Sequence, residues 1–365
     1  MQDTRKIKIG LGSFDLLKGF AIILVIIGHM TSHYDITALT SQTFLGRVFG
    51  VLILLLKNGL MPMFFLIRGF AFKNIPAEKM LKRSVSGFLK PYFYAMIAIS
   101  MIYPMVHCIQ YGIGWGAISN TARWVLAFLF GLHDPYAEQK IIFGIEVRAC
   151  WVVWFLLAMF VADNVFNLII KGKNTKVEIV LTAVSVGAGL ILSSKELTYF
   201  CIPQGLIAVG YYYVGYAMKT YNFFGWSRKV QSGFCIAMFV AAILQALFGE
   251  FDMAYNLYKN GLLEFVGTSC TGILFLILGV YLASWEGPGV DKIRQIGVYT
   301  LWILCIHSVE LICFPWGKIV KMMPECQLLA FVIEISLKII ILLASCNVIR
   351  KIVQFNYRRR IMKRR

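Results

Sequence analysis

Three ionisable residues interrupt the apolar stretch FDLLKGFAIILVIIGHM at 14–30: Asp15 and Lys18 near its start and His29 near its end. Eleven helical steps from Lys18 to His29 give a rise of about 16 Å in close to three turns, so these two side chains leave nearly the same face. A lysine there offers a point positive charge, and an imidazole that titrates near neutrality suits proton abstraction or nucleophilic attack. Ionisable groups inside a bilayer are costly, which makes them functional candidates by default. The plain alternative is that Lys18 snorkels to the inner interface and His29 caps the outer end of the helix. Asp15 lies three residues before Lys18, so an i,i+3 pair would fix the lysine for a structural or a catalytic purpose.

His307 and Glu310 form a second i,i+3 set inside an apolar segment. They share a face and would act as an acid/base pair, orient a substrate, or hold the helix as a hydrogen-bonded structural pair. Arg68 stands in the inner half of another apolar segment. It either meets an anionic ligand or pairs with a buried carboxylate.

These residues need helices to hold them, and the composition supplies them. The 365 residues are 59% hydrophobic and 15% charged, more apolar and less charged than soluble domains usually are. The sequence therefore predicts one all-α, polytopic membrane domain over 1–365, with a basic tail at about 350–365. A spanning helix needs roughly 20 apolar residues. By that rule we expect ten spans, at about 14–30, 59–73, 88–106, 149–170, 177–193, 200–218, 230–248, 262–284, 296–313 and 327–349. The run VFGVLILLLKN before the second is either part of that span or an interfacial segment, and WVLAFLFGL at 124–132 is equally ambiguous. The first apolar run lacks a small-residue cleavage site after it and is expected to be retained.

With both termini inside, the cytoplasmic pieces hold 24 of the Lys and Arg residues and the outer pieces 9. That bias sets the expected orientation. It also accounts for the net charge of +18, which sits in flanks facing anionic lipid and argues against nucleic acid as a partner. His29, His33, His107, His133 and His307 then all fall in outer halves or outer loops, so imidazole chemistry is expected toward the outer face. The nine cysteines include no C-x-x-C pair and read as small core residues, and no zinc or P-loop motif is present. No metal is expected.

The opening segment, read as D-x-x-K-G-x-A-I-x-x-V-x-x-x-H, resembles the first helix of the membrane acyltransferase-3 family. MPMFFLIRGF (61–70), FLKPYFY (88–94), WFLLAMF (154–160) and TLWILCIHSVEL (300–311) resemble later helices of the same family, in order along the chain. The family pattern usually has Arg at Lys18, His at Leu60, Ser at Arg68 and Arg at Gly87, and Arg83 lies one turn before the last of these.

The resemblance implies an O-acyltransferase of a bacterial cytoplasmic membrane. It would move acetyl from acetyl-CoA, or another acyl-CoA, to a hydroxyl of a surface glycan or lipid-linked sugar. His29 would be the base or the acyl acceptor, with Lys18 and Asp15 in the catalytic set. Arg68, Lys82, Arg83 and Lys90 would hold the donor phosphates, although positive-inside flanking explains the last three as well. His307 and Glu310 would stand on the acceptor side. The competing class is a transporter or binding module on the same fold, working without acyl transfer.

Overall fold

The computed structural model describes residues 11–31, 44–133, 140–172, 174–323 and 326–362. His33, one of the expected outer histidines, lies outside these residues. The chain is almost wholly helical. In order it forms α1 (Asp15–Thr31), α2 (Phe44–Phe70), α3 (Ala77–Ser84), α4 (Lys90–Tyr111), α5 (Trp115–Phe130), α6 (Trp154–Ile169) and α7 (Thr175–Ser194). Then follow α8 (Ile202–Thr220), α9 (Arg228–Phe248), α10 (Leu262–Leu282), α11 (Pro288–Val298), α12 (Thr300–Cys313), α13 (Trp316–Met322) and α14 (Gln327–Met362). Two hairpins of two-residue strands, Ile141–Ile142 with Ile145–Glu146 and Phe251–Asp252 with Leu257–Tyr258, are antiparallel and lie in loops.

Local chemistry sets the boundaries. Asn174 caps α7 by accepting from the backbone N–H groups of Lys176 and Val177 at 3.1 and 3.3 Å. Gly131 ends α5 in the left-handed conformation, at φ 57°, where a Cβ would be strained. A π-helical turn, Val85–Leu89, joins α3 to α4, so that Ala77–Tyr111 runs as one candidate span.

Among the described residues eight helices are long and apolar enough to cross a membrane, and a ninth span arises if the bent pair α11–α12 counts as one. The apolar runs of the sequence alone predict ten. The shortfall is α8, which carries Gln204 and the tyrosines 211, 212, 213 and 216. Most of α8 is buried, against α2, α6 and α7, so protein rather than lipid sets the polarity it tolerates. The two ambiguous runs separate cleanly. VFGVLILLLKN lies within α2, while 124–132 covers the end of the 16-residue α5 and its cap, and α5 is not among the candidate spans and packs on α4. The basic tail extends α14 as far as Met362.

Small residues bring the axes together. A Cβ at Gly69 would strike the carbonyl of Tyr212, and one at Gly215 the carbonyl of Leu66, so α2 and α8 cross with their backbones in contact. Close approach of this kind is how helices associate where no hydrophobic effect drives them together. The same device joins α1 to α11, where a Cβ at Gly19 would strike the carbonyl of Ile293 and one at Gly297 the carbonyl of Asp15.

Candidate active site

The polar face of α1 is read from its start. Lys18 reaches Asp15 at 2.6 Å, with both side chains mostly buried, so the expected i,i+3 pair forms. At the other end His29 packs edge-on to Trp151, ring centroids 6.2 Å apart, and tilted against His307 at 5.5 Å. Trp151 itself is held at φ 47°, a left-handed conformation that a bulky residue adopts only when its surroundings impose it. It opens the short 3-10 turn Trp151–Val153 that leads into α6, and that turn packs on α12.

The α12 partner brings its own support. His307 is buried, and its Nδ1 lies 2.6 Å from Glu310 Oε1. With Nδ1–H donating to that carboxylate, the lone pair of the neutral ring is on Nε2. Nε2 is buried and meets no hydrogen-bond partner among the described residues. Glu310 also receives Lys338 Nζ from α14, at 2.9 Å to each oxygen. The indole N–H of Trp316 donates to the Glu310 backbone carbonyl at 3.1 Å. A cleft beside these groups is walled by Ile26, Ile303, Ile306, Ile341 and Leu342.

His133 joins the same end of the molecule. Its ring stacks on Trp154 and on Tyr255, at centroid distances of 6.2 and 5.1 Å, and its carbonyl accepts from Gln204 Nε2 at 3.2 Å. It lies outside the candidate spans, and burial, with His29 nearby, pushes it down to about 3. His107, by contrast, packs between Tyr103 and Tyr111 on α4. Three of the four described histidines therefore gather.

Arg68 sits elsewhere. Its Nε and Nη2 fork onto Asp163 of α6 at 2.9 and 2.5 Å, and Asp163 also accepts from the Tyr212 hydroxyl at 3.0 Å. Of the two options the sequence left open, a buried carboxylate partner is present. The guanidinium lies 5.7 Å from the ring of Phe88, in the π-helical turn between Arg83 and Lys90, which places Arg68 against the basic segment. Lys82, Arg83 and Lys90 are exposed, and Lys82 pairs with Glu78 at 2.5 Å. Among the described residues no three of His, Cys, Asp and Glu gather closely enough to hold a metal ion.

Sequence reasoning singled out neither Asp163 nor the Glu334–Lys338 set of α14. The signal was available: each is an ionisable residue inside an apolar run, and the last two have i,i+4 spacing.

A family model described as an acyltransferase domain, the acyltransferase-3 model, matches residues 11–347. The chain belongs to the acyltransferase-3 family. No curated protein and no solved structure matches it. The match takes in all but the ends of the chain, so the α1 motif, the Arg68–Asp163 pair and the His307 cluster all lie within the acyltransferase domain. The protein is a multi-pass membrane acyltransferase.

Proposed function

We propose that this acyltransferase moves acetyl from acetyl-CoA to a hydroxyl of a surface polysaccharide or lipid-linked sugar, in a bacterial cytoplasmic membrane with both termini inside. The observation that carries the reading is the meeting of His29 with a carboxylate-backed imidazole, His307, at the far end of a helix whose start holds a partly buried, carboxylate-paired lysine.

The donor enters from the Lys18 end. Its phosphates meet Lys82, Arg83 and Lys90, with Arg68 behind them, and its pantetheine arm spans the roughly 16 Å of helix to His29. His29 takes the proton of the acceptor hydroxyl, and the oxygen attacks the thioester carbonyl. The C–O bond forms as the C–S bond breaks, and the leaving thiolate recovers the proton. His307, oriented by Glu310, supports the reacting pair from the acceptor side. Trp151 fixes the plane of His29 against this partner.

The test is the ester content of cell-envelope glycans, by mass spectrometry, in cells lacking the protein. Complementation with the native chain should restore an acetyl mass, and His29→Ala at equal membrane abundance should not. Restoration by His29→Ala would remove His29 from the mechanism. A deletion with unchanged ester content would favour transport over acyl transfer.

A further inference from the structure

The last span carries a charge set that the mechanism so far leaves unused. Lys338 is 3% exposed and Glu334 is 0% exposed, both on α14. Lys338 Nζ binds both oxygens of Glu310 at 2.9 Å, lies 3.8 Å from Glu334 Oε1, and sits 4.2 Å above the ring of Trp316. The titratable groups that face it are His307 and Glu310 from α12, His29 from α1 and Glu334 from its own helix.

A lysine with two carboxylates in a desolvated place is costly to keep. An ion pair made only to tie α14 to the bundle needs one carboxylate. Here the ammonium takes both oxygens of the carboxylate that orients a histidine. Fixing Glu310 in this way fixes which oxygen faces His307 Nδ1, and hence which nitrogen presents its lone pair beside His29. A carboxylate left to rotate, or to take a proton itself, would no longer impose that tautomer.

The geometry points to Lys338 as a positioning residue for acyl transfer: it holds Glu310 so that the His307 tautomer with a bare Nε2 persists at the site, while Glu334 balances its charge. This rests on the proposed reading of His29 as the base and His307 as its carboxylate-oriented support.

The experiment uses the full chain in lipid nanodiscs, with acetyl-CoA as donor, envelope extract of deletion cells as acceptor, and thiol release as the readout. Lys338→Met should lower kcat at least about tenfold, with the KM for acetyl-CoA held within about twofold. Lys338→Arg, which keeps two donors on Glu310, should recover kcat to within a few-fold. Lys338→Met combined with Glu334→Gln removes both partners of the α14 pair. It should recover abundance and thermal stability but leave kcat low.

Recovery of kcat in that double variant would overturn the proposal, because Lys338 would then only neutralise Glu334. The second readout is the side-chain 15N spectrum of His307, assigned by its loss in His307→Gln. It should show a single tautomer protonated on Nδ1 in the native chain and lose that signature in the double variant. An unchanged spectrum would also overturn the proposal. If the native chain releases no thiol from acetyl-CoA, the donor assignment fails, and the spectrum still decides the role of Lys338.

Discussion

Removing the carboxylate of Asp163 strands the Arg68 guanidinium. Asp163 is 0% exposed and Arg68 retains 17% exposure, so water reaches the arginine poorly and no charge replaces the lost partner. Breaking a buried pair from one side costs about 3–5 kcal/mol. The Tyr212 hydroxyl loses an acceptor too, although it keeps a contact to Met159 Sδ at 3.2 Å. We expect Asp163→Ala to destabilise by about 4 kcal/mol, and Arg68→Met/Asp163→Leu, which removes both charges, to lie within about 1 kcal/mol of native. Removing the second charge therefore recovers about 3 kcal/mol of what the first substitution costs. The assay is unfolding of the purified chain in detergent, followed by labelling of Cys150 and Cys201, both fully buried. An Asp163→Ala chain as stable as native, or a double variant less stable than either single one, would refute the reasoning. The double variant also separates two roles of Arg68. If it is stable yet shows a raised KM for acetyl-CoA, the arginine binds donor as well as Asp163.

Other outcomes can be stated briefly. Gly19→Ala and Gly297→Ala should each cost about 1–3 kcal/mol by forcing α1 off α11, and activity should fall with them. Gly28→Ala, whose added Cβ meets nothing within 4 Å, should leave stability unchanged, as thermal melts would show. His133 titrates at about 3 folded against 6.5 when unperturbed, so between those values the unfolded chain binds a proton that the folded chain refuses. Stability should fall as pH drops from 6.5 toward 3, and His133→Phe should show a shallower fall in melting temperature over that range. Lys82→Ala removes only an exposed pair with Glu78 and should not move the melting temperature, so any rise in the KM for acetyl-CoA would report donor binding.

The spans were legible wherever a helix meets lipid, because lipid demands a run of apolar side chains. α8 is the instructive case. Its tyrosines and Gln204 weaken the apolar signal, yet 200–218 still reads as a mostly apolar run of about spanning length. The Asp15–Lys18 and His307–Glu310 pairs could be read from i,i+3 spacing alone, since a helix makes those contacts by itself. The His29–His307 and Arg68–Asp163 meetings could not. They join residues 278 and 95 positions apart, and which faces turn toward each other is decided by the packing of whole helices, which no local spacing records. The 78° bend between α11 and α12 was equally hidden, because one apolar run at 296–313 reads the same whether straight or broken.

That bend gives α1 a neighbour with two points of contact. α11 presses on α1 at Asp15 and Gly19 through Gly297 and Ile293, and after the turn α12 returns to meet it at His29 through His307. The broken span thus grips both ends of α1 like the jaws of a calliper. The rise of α1 itself sets the separation of Lys18 and His29, and the two jaws hold that helix against its surroundings at both ends, so the distance between the cation and the imidazole is a gauge built into the backbone. Any molecule that must touch both is measured against it.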